Sequence, residues 1–499
     1  MKIKNKVIKD ILLKYRKIDS LKRLISLAEW DLNVYMPSKA NEERSIIISE
    51  AEIQIKNLIL DKKFVDLIKK AEKEHLNIYE KSIIKILKKE IERLKKLPNY
   101  FIEEFSKITN QAQFFWRRAK NENDFNIFKP YLRKIISLVK KEADYLGYEN
   151  HPYDALIDLY EEGWRTEDFL SFFSLIKPPL KNIFSKALES KYCFKKHPLE
   201  NERYKKEDME NLNIEVLKIL NFDSERSRID ISAHPFEQAI SLNDVRITTW
   251  YHQKDFKRSL TATVHEFGHL LYESNIDPDF KFTPLQGGVS CAFHESQSRF
   301  WENIILKNNV FLKKIWKIAF KKLSFLKKYS FEDFLIYFNQ IKPSLIRVEA
   351  DEISYHFHII LRFEIEKMLL EDKIKVEELP EYWNEKMKEY LGLRVNSYKE
   401  GILQDIHWSM GAFGYFPTYS LGSFLSGFWL KKIQEELGSI NDILDEKEGV
   451  LVIQNWFKEK IYKFGKVYSS KDLIYKIGKE KFNPIYFLSY LEDKYLSYK

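Results

Sequence analysis

In the stretch SIIKILKKEIERLKKLPNY, Ile84, Leu87, Ile91 and Leu94 recur at intervals of three and four, with lysines and glutamates between them. That spacing predicts a helix with one apolar stripe and one solvated face, stopped by Pro98. Similar patterns fill much of 1–230, 304–400 and 421–499, with no low-complexity linker and no internal repeat. The expectation is a single all-α domain spanning 1–499. One segment departs from it. NDVRITTWYH, residues 243–252, alternates Val245, Ile247, Thr249 and Tyr251 and is rich in β-branched and aromatic residues, so it predicts a strand. Such a strand either offers an edge to an extended peptide or simply packs beneath a helix.

Composition reinforces the helical reading, because only 15 Gly and 14 Pro interrupt the 499 residues. The net charge of +9 is spread along the chain and not gathered into an arm, which argues against nucleic acid as a partner. No run approaches the roughly 18 apolar residues of a membrane span, and the opening MKIKNKVIKDILLKYRKI mixes charges through its apolar positions, unlike a signal peptide. Two cysteines far apart, Cys193 and Cys291, suggest a reducing compartment. A cytoplasmic protein is expected.

The chemistry concentrates in SLTATVHEFGHLLYES. His265 and His269 lie four apart, one above the other on a helix that Ser259 or Thr261 is expected to cap. With 11 His in the chain, a chance His-Glu-x-x-His match has a probability on the order of a few per cent. The plainer alternative is two buried histidines satisfied by hydrogen bonds. On the metal reading, Glu266 between them is the general base.

A catalytic zinc needs a third protein ligand. Tyr272 and Asn275 stand where an extended motif would need Gly and His, and Glu273 is too far along the helix axis to converge with both histidines on one ion. A second helix must supply the ligand. CAFHESQSRFWEN, after the turn TPLQGGVS, offers His294 and Glu295; Glu295 is chosen because two imidazoles and one carboxylate form a familiar hydrolytic set, leaving His294 in support. The oxyanion of a tetrahedral intermediate needs a further donor. His407 in QDIHW is the first candidate and Tyr419 in GYFPTYSLG the second.

Beside HEFGH and HESQSR, the chain carries HPF at 234–236, DVRITT at 244–249, IRVEAD at 346–351 and GILQDIHW at 401–408. Together these resemble peptidase family M32, the thermostable, Taq carboxypeptidase-like metallocarboxypeptidases within the neurolysin-like zinc peptidases. WDLNVYMP and YDALIDLYEEG extend the resemblance over nearly the whole chain, although PLQGGVSCAFHESQS departs from the commoner wording and no motif is matched beyond 430. The resemblance implies an all-α fold with a deep groove and a very small β-sheet near the metal, a homodimer, and removal of single residues from free peptide carboxyl termini. It carries the metal, zinc with cobalt as a possible substitute, onto His265, His269 and Glu295, and the base onto Glu266. It favours Arg347 as the anchor of the terminal carboxylate, a task suited to the planar guanidinium fork; an ion pair with Glu349 or Asp351 is the alternative. It suggests His234 and Arg246 as groove-wall residues that limit substrate extension. An endo-acting oligopeptidase on the same scaffold is the rival activity.

Overall fold

The computed structural model describes residues 3–496 as a helical molecule, with 20 α-helices and one three-stranded sheet among those residues. The helices follow the amphipathic stripes. In Ile78–Lys96, Ile84, Leu87 and Ile91 are buried, and the helix ends just before Pro98. Each fully buried aliphatic or aromatic side chain of this kind contributes roughly 1.5–3 kcal/mol.

The sheet runs β1 (Ser227–Ile231), β2 (Glu237–Ser241) and β3 (Asp244–Thr249), in spatial order β1-β3-β2. β3 pairs in parallel with β1 and antiparallel with β2. The alternating segment is therefore a strand, but the inner one, and the outer positions belong to β1 and β2. Val245 and Ile247 are fully buried against the helix that follows.

That helix, α1 (Phe256–Ser274), starts earlier than the Ser259 or Thr261 caps predict, directly after Asp255, which has φ 52° and makes no side-chain cap. Ser259 and Thr263 are instead buried, where their hydroxyls meet the amide of Asn213 at 3.0 and 2.9 Å. Leu260, Val264 and Phe267 fill the core side of α1, leaving the two histidines on the other. α2 (Cys291–Arg299) is capped by Ser290 and runs on into a π-helical turn, Phe300–Leu306. A third helix, α3 (Phe416–Leu437), packs along α2 with small residues at the contact. Two glycines set how close these helices lie. A Cβ at Gly268 would fall 2.6 Å from the Ser298 Cα, and one at Gly422 would fall 2.7 Å from the Glu295 Cβ.

Candidate active site

α1 and α2 bring three donors to one point. The rings of His265 and His269 lie 5.1 Å apart, and Glu295 reaches between them, with Oε2 at 3.6 Å from His265 Nε2 and 3.7 Å from His269 Nε2. A tetrahedral ion about 2.0–2.1 Å from each donor sets donor separations of roughly 3.4 Å. The three side chains therefore fit such an ion, and they are the group of this kind found among the described residues. The outer atoms of these three side chains are already occupied. His265 Nδ1 meets Glu302 Oε2 at 2.9 Å, His269 Nδ1 meets His294 Nδ1 at 2.6 Å, and Arg299 donates to Glu295 Oε1 at 2.6 Å. Both Nε2 atoms face inward, as does Glu295 Oε2, which also accepts the Ser298 hydroxyl at 3.0 Å.

The electrostatics treat the two histidines differently: against burial, Glu295 and Glu302 raise His265 above the ordinary imidazole value. Burial opposes the charge on Glu302, yet Arg299 and Lys307 hold its carboxyl well below the usual range, so an anion backs His265. Burial, with His294 alongside, holds His269 well below the ordinary imidazole value, so its ring is neutral. Burial pushes Glu266, beside the three donors, up to about 7.

The three donors and Glu266 line a cavity of about 850 Å³ whose opposite walls include Tyr415 and Tyr419. Tyr419 shares a hydrogen bond with His407 Nε2 at 3.2 Å, so the two oxyanion candidates are in contact. Tyr419 faces the cavity and His407 stands behind it; burial brings His407 down to about 4, leaving a neutral ring. Arg347 also lies behind Tyr419, its Cζ 5.0 Å from that ring. Its ion pair is with Asp405, not with Glu349 or Asp351: Nε and Nη2 donate to Oδ1 at 3.0 and 2.9 Å, while Nη1 donates to the Tyr355 hydroxyl. Two of the five guanidinium N–H groups remain.

His234 and Arg246 are not among the residues lining the cavity. His234 is exposed near Trp250, and Arg246 pairs with Asp244 over the Trp30 ring. The wall is formed instead by Pro235 to Ala239, the approach to β2 and its first half. Sequence reasoning missed Tyr415, Glu302 and Lys466 at this site. Spacing offers hints for two of them: Tyr415 lies four before Tyr419, and Glu302 lies two helical turns after Glu295. Lys466 comes from a distant loop and leaves no such trace.

The chain matches the family described as carboxypeptidase Taq (M32) metallopeptidase over residues 10–495. It is 44% identical over 494 residues to thermostable carboxypeptidase 1 of Pyrococcus furiosus, covering 99% of both chains, and 35% identical over 491 residues to carboxypeptidase 1 of Bacillus subtilis, covering 96% of both. Among solved structures, a Pyrococcus furiosus carboxypeptidase superposes with a TM-score of 0.97 at 44% identity, covering 99% of this chain and 100% of the other. Metallocarboxypeptidase 1 of Trypanosoma cruzi gives 0.92 at 31%, with the same coverage.

Proposed function

Since the chain belongs to the carboxypeptidase Taq (M32) metallopeptidase family, we propose that it is a metal-dependent carboxypeptidase that removes single residues from free carboxyl termini with broad specificity. The observation that carries this reading is the convergence of His265, His269 and Glu295, with Glu266 beside them, on one peptide-sized cavity. Zinc is the ion best suited to two imidazoles and a carboxylate, and cobalt is a workable substitute. When bound, the ion polarises the scissile carbonyl and acidifies a water.

The remaining work belongs to the chain. Glu266 takes the proton of the attacking water on its carboxylate and returns it to the leaving amine nitrogen. Tyr419, held by His407, donates to the developing oxyanion, a role Tyr415 is also placed to share. β2, an outer strand whose first half lines the cavity, offers its backbone to an extended substrate. His234 directly precedes this wall, and Arg246 is the register partner of Gln238 within it, which supports their limiting how far substrate extends. The free N–H pair of Arg347, oriented by Asp405, suits a terminal carboxylate once Tyr419 yields.

We also assign the protein to a reducing, cytoplasmic setting, in keeping with its two free thiols. A homodimer follows the family resemblance; light scattering should then give twice 60.0 kDa.

The decisive experiment offers an amino-blocked peptide with a free or an amidated carboxyl end. Stepwise loss of residues from the free-ended peptide alone is expected, with Glu266→Gln retaining metal and losing nearly all turnover. Internal cleavage of both peptides at similar rates would overturn the exopeptidase reading in favour of an endo-acting oligopeptidase.

A further inference from the structure

The two ligand histidines are supported differently. His265 leans on a carboxylate directly, through Glu302. His269 leans on a second imidazole: its Nδ1 lies 2.6 Å from His294 Nδ1, and His294 Nε2 lies 3.0 Å from Glu273 Oε1. That same carboxylate oxygen accepts the backbone N–H of Gly288 at 2.7 Å. Resting on the metal-centre reading above, we infer that Glu273 acts through His294 as a positioning pair that fixes the tautomer and orientation of His269.

Proton accounting carries the argument. His269 Nε2 faces Glu295 and must present a lone pair to an ion, so its single proton belongs on Nδ1. Nδ1–H then donates to His294 Nδ1, which forces the proton of His294 onto Nε2, where it is donated to Glu273. Glu273 Oε1, which also accepts the Gly288 N–H, closes the chain. Every donor meets an acceptor and neither ring need be charged. Reversing any one tautomer would set two N–H groups or two lone pairs against each other.

The surroundings are shaped for this relay. The His294 ring packs against Tyr272, with centroids 5.3 Å apart. Gly288 leaves room for it, since a Cβ there would fall 2.7 Å from His294 Cδ2 and 2.9 Å from Tyr272 Cε1. Glu273 is 8% exposed and Lys466 adds a favourable charge beside it. Glu273 stands four residues after His269 on α1, so the helix that supplies the ligand also supplies the far end of its support. Outer partners of this kind are worth about ten- to a hundredfold in metal affinity.

The test measures zinc affinity by competition with a chromogenic chelator, and the visible absorption of the cobalt-loaded protein, for the parent, Glu273→Gln, Glu273→Leu, His294→Phe and the Leu/Phe double variant. Glu273→Leu and His294→Phe should each weaken zinc about ten- to a hundredfold and shift the cobalt spectrum. Glu273→Gln should stay near the parent, because the amide oxygen can accept both N–H groups. The double variant should be no weaker than His294→Phe alone, as expected for one chain broken twice. Additive losses, or parental affinity in a folded Glu273→Leu, would overturn the relay while leaving the metal centre intact. A parent that binds no ion overturns both. Should Glu273→Leu not fold, His294→Phe, whose ring preserves the packing on Tyr272, decides alone by the same readouts.

Discussion

Glu161 shows how one side chain can make the whole fold sensitive to pH. It is fully buried against the start of α2, accepting the Ala292 N–H at 3.0 Å, with the hydroxyls of Ser290 and Ser470 alongside. Burial pushes its carboxyl up to about 7, so the folded state holds a proton that the unfolded chain, at its ordinary value near 4.5, has released. The stability it contributes is present below about pH 4.5 and is lost as pH rises through about 7. The full swing is about 3 kcal/mol at 1.36 kcal/mol per unit. Glu161→Gln should flatten the fall in denaturant midpoint between pH 5 and pH 8; an unchanged profile would assign that fall to other groups. At this scale the sequence was legible where chemistry is local. His265, Glu266 and His269 sit on one helical turn, and Glu295 lies on the next helix in the chain. Pairings set by tertiary approach were not legible: Arg347 finds Asp405 58 residues away, a partner no spacing rule indicates.

Among elements, the distance between α1, α2 and α3 decides whether Glu295 reaches the histidines. Gly268 and Gly422 bring the helix backbones into contact, and neither is required by a left-handed backbone, since each lies within a helix. Their role is space. Gly268→Ala and Gly422→Ala should each cost about 1–3 kcal/mol, as overpacking does, and should lower metal affinity by moving α2. Thermal melts and metal analysis check both; an alanine variant with parental stability and full metal would show that the helices yield freely. Helices and β3 could be read from apolar periodicity, whereas β1 and β2 could not. Each is five residues long, SRIDI carries mixed burial and EQAIS is half-buried throughout, so the sheet is fixed by its contacts with α1 more than by local pattern.

Across the whole molecule, Asp405 joins distant parts of the chain. Its two oxygens take Arg347 on one side and Arg362, from the helix Tyr355–Leu370, on the other, two residues before His407. Removing the shared anion strands two buried guanidinium groups, so Asp405→Ala should cost about 3–5 kcal/mol, more than truncating a typical surface ion pair. Urea denaturation measures it, and a loss within that of surface variants would mean water has replaced the carboxylate.

The carboxyl end of the described chain bears on a hazard particular to an enzyme of this activity. The helix Ile485–Leu496 packs on α3, the Lys494 ammonium is bound by Glu352, and the Tyr495 hydroxyl is held by the same carboxylate. Another copy trimming this end would have to draw Lys494 and Tyr495 out of buried hydrogen bonds before their peptide bonds could enter a groove. Trimming of this helix by another copy is therefore expected to stall at Tyr495, which mass spectrometry of a preparation aged at working temperature would check.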